Sequence, residues 1–483
     1  MAGGGSSSDI INLSAVKLSD AIRHKVVSCL DVMKAYLVQI DKVNPTFNAI
    51  VSLRNRDELL SEAAQKDSAL AKGIYHGWMH GFPHAVKDLA ATKDIPTTMG
   101  SPLLKNEITK HDAIFVERLR KAGVIIIGKT NTPEFGLGSQ TYNDVFGTTY
   151  NAYNPKLCAG GSSGGASVAL ATRMLPVADG SDMMGSLRNP AAYNNIIGFR
   201  PSFGRVPFGP AMEIFSQQLA YEGPMGRTVK DAAMLLSTMA GFDSRVPLSI
   251  SEDPLQFAGG LQADMRGRKI AWLGDFNGHF PMEPGILELC QRSLEHFGAL
   301  GCIVESATID YPMEKLWQTW LTLRQWLIAG SLGPLYRAKE NREKMKPEAI
   351  WEIESGLALK ASHIYHASVD RSKWYQTVIN LFTRYDYLLL PAAQVFPFDA
   401  NIHWPKEVGG RTMDTYHRWM EITVPGTLSG CPIASVPVGF NSRGLPMGMQ
   451  IMGPAKKDLE VLKLANAYER MSEWTKKTPA DAR

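Results

Sequence analysis

The chain has 483 residues, 45% of them hydrophobic and 20% charged, with a formal net charge of +4. That balance belongs to a globular protein with a large core and excludes a disordered or fibrous chain. The charges form no basic run and no apolar stretch reaches the length of a membrane span, so neither nucleic acid nor a bilayer is implied.

Met1 to Ser8 is Gly/Ser-rich and polar. It reads as a disordered or expression-derived tail and lacks the basic-then-apolar order of a signal peptide. The five cysteines (Cys29, Cys158, Cys290, Cys302, Cys431) are scattered, odd in number and without a C-x-x-C. No H-E-x-x-H occurs among the eleven histidines. Neither a disulfide framework nor a zinc ribbon is indicated. A soluble, cytoplasmic protein is the expectation.

Apolar residues at helical spacing from Ile22 to Ile40 predict a helix over 19–43, closed by Asn44-Pro45. A second helix is predicted over 57–70, a short strand over 81–87, a helix over 112–122 and a buried strand over 124–127. Helix and strand then recur: 164–173 and 175–178, a helix over 229–239, then 286–297 and 302–305. Helices dominate 311–385, a stretch rich in aromatics: Trp317, Trp320, Trp326, Tyr336, Trp351, Tyr365, Trp374 and Tyr375. Strands over 387–390, 433–438 and 447–451 and a helix over 459–471 complete the chain. Strands interleaved with helices predict an α/β fold with a largely internal sheet. No repeat or linker splits the chain, so 9–483 reads as one large domain with a helical insertion at about 311–385.

Several short motifs have bland readings. Gly123 to Thr130 matches G-x-x-x-x-G-K-T, but its middle residues are Val124, Ile125, Ile126 and Ile127. Four β-branched residues favour a buried strand over a phosphate-cradling loop. Gly160-Gly161-Ser162-Ser163-Gly164 matches the G-x-S-x-G elbow. The elbow needs an apolar strand before it, and Tyr150 to Pro155 is turn chemistry instead. Ser14 to Lys17 matches S-x-x-K but reads as the lead-in to a helix.

Cys158 to Pro190 carries the strongest signal. Ser162 and Ser163 lie between Gly160-Gly161 and Gly164-Gly165, and Ser186 follows Gly185 and precedes Arg188. Glycine clusters let a backbone take positive φ and approach another group closely. Upstream, Lys87 ends an apolar run and meets Asp88. By itself that pair reads as a surface salt bridge, whereas a lysine pushed into a dry pocket becomes a base.

Taken together, these residues resemble the amidase signature family across nearly the whole chain. The matching stretches include Gly81-x-Pro83-x-x-Val86-Lys87-Asp88, Gly128-Lys129-Thr130-Asn131, Gly160 to Gly165, Asp182-x-x-Gly185-Ser186-x-Arg188-x-Pro190, Gly223-Pro224-Met225 and Gly430-x-Pro432. The resemblance implies a mixed central sheet with helices on both faces, and no cofactor or metal. It also implies a Ser–cisSer–Lys triad: Ser186 as nucleophile, Ser162 as bridging serine on a cis peptide, Lys87 as base. The backbone N–H groups of Met183, Met184, Gly185 and Ser186 would meet the oxyanion, and Ser163, Asp182 and Arg188 would support the site. One departure stands out. The family usually has Gly-Gly-Ser where this chain has Met184-Gly185-Ser186. Methionine leaves the backbone donors in place but reshapes the pocket.

The aromatic 311–385 stretch favours an apolar or aryl amide as substrate, with carbamates and esters as further candidates. The expected partner is such a small molecule, and the expected state a monomer or homodimer. The alternative is the amidotransferase subunit that converts glutamyl-tRNA to glutaminyl-tRNA, which works with partner subunits and an ammonia channel.

Overall fold

The computed structural model of the chain describes residues 7–482. Two sheets organise it. The smaller holds β1 (Ile50–Val51), β2 (Pro83–Lys87) and β3 (Ile125–Thr130) in the order β1-β3-β2. β3 is buried at every position, so the G-x-x-x-x-G-K-T stretch is a strand and not a phosphate loop. The larger sheet holds β4 (Ala178–Asp182), β5 (Ile197–Arg200), β6 (Tyr221–Gly226), β7 (Lys269–Trp272), β8 (Ile303–Ser306), β9 (Tyr387–Pro391), β10 (Ile433–Phe440) and β11 (Pro446–Met452). Its order is β8-β7-β9-β11-β10-β5-β6-β4. The β8-β7-β9 edge is parallel and the remaining pairs are antiparallel, which makes the sheet mixed. β11 is buried throughout and β10 everywhere but Phe440, so both faces of the sheet's middle are covered. The fold is the expected single-domain α/β architecture.

The local departures have local causes. The helix predicted over 19–43 is two, Ala15–Arg23 and Cys29–Phe47. Lys25 turns the chain at φ 60°, and Ser28 caps the second helix, accepting from the Asp31 N–H at 2.9 Å. Pro45 does not end that helix, because a proline in the last turn forfeits a single bond; the helix ends at Asn48, whose φ is 50° and whose N–H donates to the Asn44 carbonyl at 2.7 Å, while the Asn44 side chain accepts from the Ala49 and Ile50 N–H groups just beyond it at 2.9 Å each. A helix over Ser7–Asn12 begins inside the predicted tail, and the rest of that tail lies outside the described residues. Ser14 caps the next helix, as its lead-in position suggests. A strand, Asn154–Cys158, does precede the glycine-serine loop, but it belongs to a separate two-stranded hairpin and is partly exposed.

α1 (Gly164–Ala171) follows the glycine-serine loop. The 311–385 stretch is helical as expected: α2 (Met313–Tyr336), α3 (Pro347–Leu357) and α4 (Ala361–Phe382) carry most of it. Trp317, Trp320 and Trp374 are fully buried and serve the core, whereas Tyr365 is exposed. All five cysteines are buried and free. Among the described residues, no helix is long and apolar enough to cross a membrane.

Candidate active site

The two sheets meet where β2 runs beside β4, the edge of the larger sheet. Asp179 of β4 joins them: it accepts from the Lys87 backbone N–H at 3.1 Å and lies 2.8 Å from His84 Nε2. The last residue of β2 is thereby pinned, and the Lys87 side chain runs into the gap between the sheets. Its Nζ donates to Ser162 Oγ at 2.7 Å, Ser163 Oγ at 2.9 Å, Ser181 Oγ at 2.9 Å and the Ser181 carbonyl at 3.3 Å. Lys87 is 1% exposed. Burial pulls its ammonium down to about 7, against the attraction of Asp182, Asp179 and Glu222. The surface pairing of Lys87 with Asp88 does not occur. Asp88 is itself buried, accepts from Thr98, and stands 3.9 Å from Lys129 Nζ.

Ser162 and Ser163 sit on a loop pressed against its surroundings. The Gly161–Ser162 peptide is cis. A Cβ at Gly161 would lie 2.9 Å from Thr141 Oγ1, and one at Gly164 2.2 Å from it. A Cβ at Gly165 would lie 2.3 Å from the Asn131 backbone nitrogen. Of the four glycines flanking the two serines, Gly160 alone has positive φ, at 73°; close approach is what the others supply. Asn189 fastens the loop, its Oδ1 accepting from the Gly161 N–H at 3.0 Å.

Asp182 is the buried hub of the opposite wall. It accepts from Arg188 Nε and Nη2 at 2.9 Å each and from Arg200 Nη1 at 3.1 Å. It also accepts from the N–H groups of Gly185 at 2.8 Å and Leu187 at 3.1 Å. Burial works against its charge, but the two guanidinium groups hold the carboxyl well below the usual range. These bonds tie down the turn that carries Ser186. They also engage one of the predicted oxyanion donors. The Gly185 N–H is spent on Asp182 and Gly185 does not line the cavity, whereas Met183, Met184 and Ser186 do. Gly185 is required for another reason: its φ is 86° and a Cβ there would meet Thr423 Cγ2 at 2.7 Å. The Ser186 carbonyl accepts from the Ser163 N–H at 3.3 Å, which joins the two walls. Among the described residues the Ser186 hydroxyl makes no hydrogen bond, so the Ser186-to-Ser162 link is not closed in this structure.

Lys87, Ser162, Ser181 and Ser186 line one side of a cavity of about 520 Å³. Leu89, Met99, Phe135, Leu137 and Phe208 line it too, as do Trp326, Leu327 and Ile328 of α2. Glu222 enters opposite Ser181 in the β4–β6 ladder, and burial pushes its carboxyl well above the usual range. Ser181, Asp179, His84 and Glu222 escaped the sequence reading. The alternation of β4 places Asp179 and Ser181 on one face, which is the signal that would have found the first two. No cluster of three or more His, Cys, Asp or Glu side chains able to hold a metal occurs among the described residues.

Comparisons with known proteins identify the family. A family model described as Amidase matches residues 31–462. An acylamidase of Rhodococcus erythropolis is 32% identical over 475 residues, covering 97% of this chain and 98% of its own. A glutamyl-tRNA(Gln) amidotransferase subunit of Thermosynechococcus vestitus is 31% identical over 476 residues, covering 94% and 96%. Among solved structures, a bacterial aryl acylamidase superposes with a TM-score of 0.90 at 31% identity, covering 97% and 98% of the two chains. A family model spanning residues 31–462 and an acylamidase relative 32% identical over nearly the full length of both chains show that this chain belongs to the amidase signature family, whose members cleave amide C–N bonds.

Proposed function

We propose that this chain is a stand-alone serine amidohydrolase acting on apolar or aryl amides. The observation that carries the reading is the buried Lys87 amine, held by three serine hydroxyls at the floor of a largely apolar cavity. A serine hydroxyl is a poor nucleophile until a base takes its proton. Above about pH 7 the Lys87 amine is neutral and can accept one. In the proposed sequence Ser162 passes its proton to Lys87 and receives that of Ser186, whose oxygen attacks the amide carbonyl. The oxyanion faces the N–H groups of Met183, Met184 and Ser186. The relay then runs backward, delivering the proton to the leaving amine, and water releases the acyl group from Ser186 by the same path. Ser163 and Ser181 orient the amine, and Asp182 with Arg188 fixes the turn. A carbamate passes through the same steps, with carbonyl transfer to Ser186. An acylamidase relative and an aryl acylamidase neighbour support this choice of substrate class.

The test is the purified chain alone with p-nitroacetanilide, a nitrophenyl carbamate, a nitrophenyl ester and glutamine. Anilide hydrolysis is expected, and Ser186→Ala should lower it by about 10⁴-fold or more. Lys87→Ala should abolish amide cleavage while sparing part of the ester cleavage, because a nitrophenolate leaves without the proton an amine needs. Silence on every amide and carbamate, with glutaminase activity only beside added partner subunits, would sink the proposal in favour of the amidotransferase reading.

A further inference from the structure

Much of the cavity wall beyond the catalytic floor is apolar, with Glu213, Ser216, Gln217, Ser331, His417 and one arginine also lining it. Arg324 projects from α2 into its wall and is 3% exposed. Most of its guanidinium is committed. Nε donates to Glu352 Oε1 at 2.7 Å and Nη2 to Tyr416 OH at 2.9 Å. Tyr416 OH in turn donates to the same Glu352 oxygen at 2.8 Å. These partners hold the plane of the guanidinium in one orientation. Nη1 is left over. Its partner is the thioether of Met183, at 3.3 Å. Sulfur of that kind is a weak acceptor, and a buried guanidinium N–H facing it is under-satisfied. Met183 belongs to the same turn as Ser186, so this donor lies near the reacting end of the cavity.

Extending the amidohydrolase reading, we propose that Arg324 Nη1 is a substrate-recognition donor, selecting amides whose apolar body carries one neutral acceptor oxygen away from the scissile bond. A carbonyl, ether or hydroxyl oxygen fits that description. Charge decides for a neutral oxygen over a carboxylate. Glu352 already balances Arg324, and burial holds His417, 3.2 Å from Glu352, in its neutral form. A second carboxylate would bring an unmatched charge into a dry pocket. The flexible Met183 side chain can withdraw from Nη1 as the substrate oxygen arrives.

The test uses matched substrates. Acyl-side partners are the 4-nitroanilides of hexanoic acid and 5-oxohexanoic acid. Amine-side partners are the acetyl amides of 4-propylaniline and 4-(methoxymethyl)aniline, in which a methylene insulates the ring from the oxygen. The readout is the ratio of kcat/KM within each pair, so a general change in activity cancels. In the wild type the oxygen-bearing member of one pair should be preferred by about tenfold or more, since a hydrogen bond to a charged donor replaces a thioether contact. The Arg324→Met, Glu352→Gln double variant, which removes both charges together, should bring that ratio close to one. If the double variant does not fold, Arg324→Lys, which keeps the charge but loses the fork, should still shrink the ratio. The inference falls if the wild type is indifferent in both pairs, if the preference survives these variants, or if adipic acid mono-4-nitroanilide outperforms its 5-oxohexanoyl counterpart. Hydrolysis of all four neutral substrates without discrimination overturns this inference alone. Hydrolysis of none overturns the amidohydrolase reading and this inference with it.

Discussion

Lys87 shows how one residue acquires its chemistry from its surroundings. In water its ammonium would outlast any physiological pH, yet burial beneath Ser162, Ser163 and Ser181 brings it to about 7. The neutral amine is the form able to accept a proton, and it predominates above that value. We therefore expect kcat/KM for an amide to rise with pH and level off above a midpoint near 7, read from a pH profile of the free enzyme. A midpoint near 10, the ordinary range for an exposed lysine, would show that Lys87 is not the group being titrated. Lys129 shows the contrast within the same small sheet. It too is buried and lowered to about 8, but its Nζ is spent on Ala90, Thr92 and Thr97 and does not line the cavity. What distinguishes the two lysines is the set of partners each one meets.

At the scale of elements, the site is three chain segments held in register by buried polar bonds. β2 delivers Lys87, the glycine-rich loop delivers Ser162, and the turn after β4 delivers Ser186. The turn depends on Asp182, which neutralises Arg188 and Arg200 and also accepts from two N–H groups of the turn. Asp182→Ala would leave two buried guanidinium groups facing each other. We expect a loss of about 3–5 kcal/mol in unfolding free energy. The measurement is denaturant unfolding, and a change below about 1 kcal/mol would mean that the hub is dispensable. Activity should fall as well, because Ser186 and the proposed oxyanion donors of Met183 and Met184 ride on the same turn. The glycine-serine loop was legible as a site because its glycines are required by close neighbours, Thr141 and Asn131 above all. β6 was not legible. Gly223-Pro224 has the composition of a turn, yet Pro224 lies opposite Asp179 in the ladder.

For the whole molecule, the helices of 311–385 are part of the wall and part of the core. Trp326, Leu327 and Ile328 face the cavity from α2, while Trp374 of α4 is fully buried and donates to the Pro425 carbonyl at 2.9 Å. Trp374→Ala should cost about 3–5 kcal/mol by leaving a cavity and an unpaired carbonyl. It should show as an earlier thermal or denaturant transition, with the substrate ranking unchanged in protein that remains folded. A changed ranking would mean that the buried tryptophan also shapes the pocket.

Local patterning in the amino-acid sequence determined the α/β alternation and the buried strand behind the false phosphate loop, while the resemblance to the amidase signature family supplied the candidate positions Lys87, Ser162 and Ser186. Local patterning could do so because the periodicity of strands and helices is a property of neighbouring residues. Only the tertiary structure showed that Asp182 takes the Gly185 N–H, one of the four candidate backbone donors of the Ser186 turn. The same holds for Ser181, brought to Lys87 across 94 residues, and for Arg324, brought to Met183 across 141. Contacts at such separations depend on how sheets and helices pack, and no local pattern in the chain encodes them.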